Sequence, residues 1–225
     1  MERGRMSRAN LPDEVARWMR RAIFAGELKP GERINQDQLA EKLDISRLPI
    51  REAVIALERE GLVRTIPRRG SFVWDFRRED ILDQYEVYAM VSGLATERAA
   101  PNLSPDDITA LRRSVDEMST HHDPEAREAA NDQFHTIINR ASRSPRLMWL
   151  LGLLASSVPA GFHDVGWELA ARDHLEIIAH LEHGDGKAAA QAMLEHIRNT
   201  GSHAVRFLGL EDDGDRERTE DEPAV

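Results

Sequence analysis

Apolar residues recur at helical spacing near the start of the chain. Val15, Met19, Ala22 and Ile23 fall on one face of residues 11–25, and the arginines of this stretch lie off that face. A one-sided apolar stripe is typical of a helix that packs against a core. The pattern therefore predicts a first amphipathic helix over these residues.

Two capping signals place the next two helices. Asn35 followed three residues later by Gln38 is typical of a helix N-terminus, which predicts a short helix through Lys42. Ser46 has the residue type and position of the next N-cap, and the helix that it starts is expected to end at Gly61.

The periodicity then changes from helical to extended. Residues 62–66 and 71–74 are rich in β-branched and aromatic side chains, and the stretch Pro67-Arg68-Arg69-Gly70 separates them. This arrangement predicts a β-hairpin with a basic tip. Three helices followed by such a hairpin form the outline of a winged helix-turn-helix.

The remainder of the chain is predicted to be helical, with breaks at Pro- and Gly-containing turns. The predicted helices lie near 79–100, 105–121, 125–142, 145–158, 165–183 and 186–208. The predicted fold class is therefore mainly α: an N-terminal winged helix-turn-helix, made of three helices plus a β-hairpin wing, followed by an all-α bundle of about six helices.

Charge divides the chain in the same way. Residues 1–78 carry 17 Lys+Arg and 12 Asp+Glu, residues 79–210 carry 11 and 20, and residues 211–225 carry 2 and 8. We therefore predict a basic DNA-binding domain over 1–78, because phosphate contact favours clustered cations. An acidic helical domain over 79–210 and an acidic disordered tail over 211–225 complete the predicted organisation.

Composition excludes several classes of protein. The chain contains no cysteine, which rules out a disulfide scaffold, a thiolate metal site and a cysteine nucleophile. No apolar run reaches the length of a membrane span, and the N-terminus lacks the apolar region of a signal peptide. We therefore expect a soluble cytoplasmic protein with no membrane partner.

The third predicted helix carries the candidate DNA-reading residues. Arg47 and Arg51 are four residues apart, so they share one face near the helix N-terminus, away from the apolar stripe. An arginine fork can bond O6 and N7 of guanine together, and a helix N-terminus also favours a phosphate. The alternative is a solvated helix face with ion pairs to Glu52 or Glu58.

The stretch SRLPIREAVIALEREGLVRTIPRRGSFV, preceded by AGELKPGERINQDQLAEKLDI, resembles the winged helix of the GntR family of bacterial transcription regulators. The resemblance covers about sixty residues and includes both turns. It implies that operator DNA is contacted by the following residues: Arg33, Ser46, Arg47, Leu48, Arg51, Arg68, Arg69 and Gly70. Leu48 departs from the small polar residue of the family pattern, which favours contact with a thymine methyl group.

The helical part resembles the FadR-like branch of that family, whose C-terminal domain is of the FCD type, and this resemblance implies that residues 79–210 form an effector-binding and dimerisation domain. The matching segments are DQYEVYAMVSGLATERAA, NDQFHTIINRAS and DHLEIIAHLEHGDGKAAAQAMLEHI. Branch members that bind metal use an aspartate and a histidine one turn apart, and two further histidines from the last two helices. The resemblance thus implies a divalent ion (Zn, Ni or Mn) held by Asn131, His135, His174 and His196.

Spacing supports the convergence of two of these histidines. His174 and His196 are 22 residues apart and lie on either side of the Gly184-Asp-Gly186 turn, so two antiparallel helices bring them to one height. Asn131 stands where the branch has a carboxylate, and a neutral amide oxygen is a weaker ligand. The alternative is that the histidines are hydrogen-bonded pocket or core residues without metal.

The effector pocket departs from the branch at two positions of its first helix. Tyr88 and Ser92 stand where many members have arginine and glutamate lining the pocket. Without arginine there is no bidentate clamp for a carboxylate, so a simple dicarboxylate is disfavoured. We expect a small-molecule effector, an organic acid that reaches the metal.

These features predict a homodimeric repressor that binds a double-stranded DNA operator and responds to a metabolite, and no enzyme. A metal-free sensor of acyl-CoA or another metabolite is the alternative within the family. A metalloenzyme using the histidine cluster is a remote alternative, since neither HExxH nor a Ser-His-Asp signature is present. A nucleoid-type architectural protein would not need the large helical domain.

Overall fold

The computed structural model describes residues 11–158 and 167–211. Within them the chain forms nine α-helices and one two-stranded antiparallel sheet. Their bounds are α1 Leu11–Phe24, α2 Gln36–Leu43, α3 Arg47–Arg59, β1 Val63–Ile66, β2 Gly70–Val73, α4 Arg78–Ala99, α5 Pro105–Thr120, α6 Pro124–Ala141, α7 Pro145–Ser157, α8 Trp167–Glu182 and α9 Gly186–Phe207. The predicted fold class is confirmed.

The chain divides into two compact units. Among the described residues, one unit comprises 11–76 and 149–158, and the other comprises 77–148 and 167–211. The larger part of α7 is thus grouped with the N-terminal residues, whereas the predicted division places all of that helix in the helical domain. Most of the predicted acidic tail, residues 212–225, and the first two residues of the helix predicted from position 165 lie outside the described residues.

The N-terminal unit is built on the face that the first helical stripe predicts. Val15 and Met19 of α1 are fully buried against Ile50 and Leu57 of α3 and against the hairpin residue Val73. The strands pair in the register Val63 with Val73 through Ile66 with Gly70. An ion pair between Arg20 and Glu60, with N–O distances down to 2.7 Å, ties α1 to the end of α3. This ion pair holds α3 against α1.

The helical unit is organised around the close approach of α4 and α9. A Cβ atom on Gly201 would lie 2.7 Å from the side chain of Tyr85, and one on Gly93 would lie 3.1 Å from the Ala190 carbonyl oxygen. A side chain at Gly201 would force a shift of its neighbour, and one at Gly93 would crowd the Ala190 carbonyl group. The order of the two contacts along the helices shows that α4 and α9 run antiparallel. Helices α8 and α9 also pack together, α5 packs against α6 and α8, and α6 packs against α4.

No helix in the described ranges combines the length and the apolar character that crossing a membrane requires.

Candidate functional site

The third helix presents its N-terminal half to solvent on the side opposite the core. Ile50, Ala53, Val54 and Leu57 are buried, whereas Arg47, Leu48 and Arg51 are exposed. The structure thus places the two predicted DNA-reading arginines on one accessible face.

Arg47 is paired with an acidic residue from the preceding helix. Its guanidinium contacts the Asp37 carboxylate of α2, and both side chains are exposed. The ion pairs to Glu52 or Glu58 that the sequence left open are not recorded in the described part of the chain, where Glu58 instead accepts the backbone N–H of Thr65 at 2.8 Å. Exposed pairs contribute little stability, so the pair with Asp37 holds the Arg47 side chain only weakly.

Ser46 has the position of an N-cap but not its hydrogen bond. The backbone of Ser46 is extended at the start of α3, yet its side chain makes no cap bond. A capping side chain usually accepts from the second or third helical residue, and the third residue here is Pro49, which has no N–H. Ser46 is therefore the N-cap residue that the sequence predicts, but its side chain makes no cap hydrogen bond. By contrast, Asn35 caps α2 as expected, accepting from the Gln38 N–H at 3.2 Å.

The wing brings four of the predicted contact residues together, two of them in its tip. Arg68 and Arg69 are exposed in the loop between β1 and β2, and Arg68 has a left-handed backbone with φ of 64°. Arg33 forms an isolated antiparallel β-bridge with Phe72 of β2, and its guanidinium packs over Gly70. A Cβ atom on Gly70 would lie 3.0 Å from Arg33 Nε, so this glycine lets the Arg33 side chain lie across the wing.

The histidines predicted as metal ligands converge in the helical unit. One ring nitrogen each of His135 on α6, His174 on α8 and His196 on α9 lies within 4.8 Å of the others. His174 and His196 are buried and His135 is half-buried. This is the group of histidine and acidic side chains in the described residues whose geometry suits a metal ion.

Local packing explains the convergence. His174 and His196 occupy buried positions in the helical periodicity of α8 and α9, and Phe134 stacks on the His174 ring at a centroid distance of 3.9 Å. The ring centroids of His174 and His196 are 4.4 Å apart, and those of His135 and His174 are 5.2 Å apart. The apolar neighbours fix the rings, so the nitrogens point at a common region.

A carboxylate that the sequence did not single out lies behind His196. Asp173 Oδ2 is 3.4 Å from His196 Nδ1, and both side chains are largely buried. If Nδ1 of a neutral His196 carries the proton that faces Asp173, its Nε2 is an acceptor. The 3.1 Å contact between the two Nε2 atoms of His174 and His196 is then a hydrogen bond that His174 donates.

The pair His174 and His196 has the nitrogen spacing that one divalent ion requires. Nitrogens bound at about 2.0–2.1 Å to one ion are separated by roughly 2.9–3.4 Å for cis or tetrahedral angles. The Nε2–Nε2 distance of 3.1 Å lies in that range. A carboxylate that accepts from the far nitrogen of a ligand histidine is the usual outer partner in such sites, and Asp173 has that position.

Asn131 lies one turn before His135 on α6 and is half-buried. The neighbouring Asp132 lies about 100° further around α6, and its charge acts on the pKa of Tyr88 on α4. Burial, and to a smaller extent that charge, raises the pKa of Tyr88 to about 12, and a hydrogen bond with Ser92 acts in the opposite direction. Desolvation also raises the pKa of Asp132. The two predicted pocket residues are therefore neighbours, with a carboxylate beside them.

Sequence reasoning missed Asp173 and Asp37. Asp173 precedes His174, but its role depends on how α8 and α9 are aligned, which is visible only in the fold. Asp37 lies in the first turn of α2, where an acidic residue is explained by the helix dipole alone. Neither residue carries a signal in its own segment that distinguishes it from a solvated acid.

Both parts of the chain are similar to known protein families. Residues 11–73 match the bacterial regulatory proteins of the gntR family, and residues 83–199 match the FCD domain. The uncharacterized HTH-type transcriptional regulator YdhC of Bacillus subtilis (strain 168) is 29% identical over 201 residues, which are 84% of this chain and 89% of that protein.

The HTH-type transcriptional repressor RspR of Escherichia coli (strain K12) is 24% identical over 207 residues, which are 88% of this chain and 90% of that protein. The solved structure of E. coli McbR/YncC has the same fold, with a TM-score of 0.70 and 21% identity over 90% of this chain and 99% of that one. The matched domains and relatives are transcription regulators, which sets the metalloenzyme alternative aside. The chain belongs to the GntR family of bacterial transcription regulators, with an FCD domain after its winged helix.

Proposed function

We propose that this chain is a homodimeric repressor whose binding to operator DNA is modulated by a small metabolite in a metal-bearing pocket. The observation that carries the proposal is the convergence of three histidines from three helices in a chain that also has a winged helix. The repressor RspR is a relative of the same family, which favours repression over activation.

On the DNA side, we assign base contacts to α3 and backbone contacts to the wing. The exposed guanidinium groups of Arg47 and Arg51 reach guanine edges in the major groove, and Leu48 offers an apolar contact beside them. The Ser46 hydroxyl makes no cap bond, so it is available to a phosphate. Arg33, Arg68 and Arg69 follow the phosphate backbone, with Gly70 as their support.

In the helical unit, His135, His174 and His196 would hold a divalent ion, with Asn131 or water completing the set. Such an ion supplies positive charge to a carboxylate or carbonyl oxygen of the effector. Tyr88 and Ser92 provide hydroxyl groups, and Asp132 provides an acceptor. This surrounding favours an organic acid that also carries hydroxyl groups over a simple dicarboxylate.

Regulation follows from linkage between the two ligands. The effector weakens DNA binding if it binds better to the dimer arrangement that fits the operator poorly. DNA must then weaken effector binding by the same factor. Two-fold symmetry matches a palindromic operator, as is usual for helix-turn-helix dimers.

The proposal is tested with untagged protein and an operator recovered by selection from random DNA. We expect a stoichiometric divalent metal by elemental analysis, and tight operator binding by fluorescence anisotropy at fixed salt. Protein that binds no DNA sequence in preference to random DNA would overturn the assignment as a repressor. Protein that takes up no zinc, nickel or manganese would overturn only the metal-bearing pocket.

The metal-free sensor is the second candidate, and specific contacts favour it. His174, His196 and Asp173 already form a connected set of hydrogen bonds without an ion, and Asn131 is a neutral residue where the family has a carboxylate. In that case the histidines hydrogen-bond the effector directly. A failure to bind metal together with effector-dependent DNA release would establish this form.

A further inference from the structure

Helix α4 has an apolar stripe on its solvent side. Val87, Met90 and Leu94 are 46%, 50% and 40% exposed, and their spacing of three and four residues places them on one face. Tyr85 and Ala89 of the same helix are buried in the unit. The stripe is therefore additional to the face that builds the core, and exposed apolar side chains grouped on one helix face are typical of an interaction site.

The ends of the stripe carry opposite charges. Asp83 lies one turn before Val87, and Arg98 lies one turn after Leu94, so both belong to the same face. Both side chains are exposed, and the structure records no ion pair for either within the ranges that it describes. From its N-terminal to its C-terminal end, this face of α4 therefore carries an acidic residue, an apolar centre and a basic residue.

We propose that this face of α4 is the homodimer interface and that two copies of α4 pack antiparallel across it. The proposal rests on the homodimer proposed above and identifies its surface. A two-fold axis near Met90 and Val91 brings Val87 of one copy to Leu94 of the other, and Asp83 of one copy to Arg98 of the other.

The charges at the two ends of the face favour a second copy of this chain as the partner and antiparallel packing of the two α4 helices. A face that is acidic at one end and basic at the other complements its own reverse, which is the property that a two-fold interface requires. Parallel packing would place Asp83 beside Asp83 and Arg98 beside Arg98, which is repulsive. The two charged positions are 15 residues apart, so the paired segment extends over about 22 Å at 1.5 Å per residue.

The absence of cysteine from the sequence allows a direct test. Met90→Cys places one thiol per chain near the proposed axis, and Leu175→Cys places one at a similarly exposed position of α8 as the matched control. We expect a short bismaleimide to link the full-length Met90→Cys protein into covalent dimers and to leave the Leu175→Cys protein mostly unlinked. Equal linking of the two variants would overturn the proposal.

Charge variants test the direction of packing. By sedimentation, Asp83→Arg and Arg98→Asp should each weaken the dimer, and the double variant should recover it. Leu94→Asp should raise the dimer dissociation constant by roughly 100-fold, as for a charge placed in an interface centre. A wild-type monomer would overturn the homodimer itself. A wild-type dimer that none of these substitutions weakens would overturn only the α4 surface.

Discussion

The two candidate sites hold their polar groups in opposite ways. On α3 and the wing, the cationic side chains are exposed, and the partner recorded for Arg47 is the equally exposed Asp37. In the helical unit, His174 and His196 are buried and bonded to each other, with Asp173 behind them. The DNA surface therefore depends on charge that solvent and salt screen, whereas the pocket depends on fixed geometry.

This difference determines how each site responds to substitution. Losing an exposed arginine removes contacts to DNA and leaves the fold intact, because Arg47 and Arg51 lie outside the apolar core. Losing a buried histidine removes a ligand and also disturbs packing, because Phe134 stacks on His174. The comparison is sharpened by variants that affect one site and leave the other unchanged.

The largest effect is expected from Arg47→Ala combined with Arg51→Ala. Each residue is expected to contribute about 1–3 kcal/mol to specific DNA binding, so the double variant should lose most discrimination between operator and random DNA. Fluorescence anisotropy at fixed salt measures both affinities. Arg59→Ala removes an exposed arginine from the last turn of the same helix and should bind like wild type. Operator binding by the double variant as tight as that of wild type would show that α3 does not read bases.

The next largest effect concerns His135→Asn. A ligand present at 100 to 1,000 times its dissociation constant stabilises a protein by about 2.7–4.1 kcal/mol, so metal should raise the unfolding temperature of wild type. Loss of the His135 ligand should remove that shift, because this ring supplies one of the three nitrogens. His203→Asn is the control, since it lies seven residues after His196 on α9 but outside the cluster. The measurement is the unfolding temperature of each variant with and without zinc, nickel or manganese. A metal-induced rise of equal size in both variants would contradict the assignment of His135 as a ligand.

The DNA-binding surface and the histidine site also differ in how much of each can be predicted from the sequence. The start of α2 after its cap Asn35 and the hairpin around Arg68 both depend on neighbouring residues. A sequence pattern of a few positions is therefore enough to predict them. His174 and His196 were predictable as a pair because one tight turn joins their helices and fixes their height. The position of His135 beside them was expected only from the family resemblance.

Other features depend on contacts between segments that no local pattern encodes. The bond between Asp173 and His196 requires the register of α8 against α9, and the packing of Arg33 over Gly70 requires the wing to fold back on the chain before α2. The missing Ser46 cap is different, because it was predictable. Pro49 at the third helical position has no N–H to donate, a local fact that the N-cap pattern alone overlooks.

A smaller effect is expected from Asp173→Asn, which removes the charge behind His196 but keeps an oxygen that can accept. Outer-shell substitutions weaken metal affinity by roughly 10–100-fold, and the loss should be larger in Asp173→Ala, which removes the acceptor as well. Calorimetric titration with metal measures the affinity of each variant. Glu176→Gln is the control, because Glu176 is an exposed acidic residue on the same helix. Nitrogen NMR of the imidazoles provides a metal-independent reading, with His196 protonated at Nδ1 in wild type and less so in Asp173→Ala. Unchanged affinity and tautomer would show that Asp173 has no part in the site.

The smallest effect is expected at the wing tip, from Arg68→Ala. A side chain that meets only phosphate carries no sequence information, so the substitution should weaken binding to operator and random DNA by the same factor. It should also lower the slope of log affinity against log salt by about one, the share of a single neutralised phosphate. Arg68→Lys keeps the charge and should keep the slope. Arg68→Gly removes the charge but suits the left-handed backbone at φ of 64°, so it should lose the same slope while the fold becomes more stable. A greater loss for operator than for random DNA would show instead that Arg68 reads sequence, which would remove the distinction between α3 and the wing.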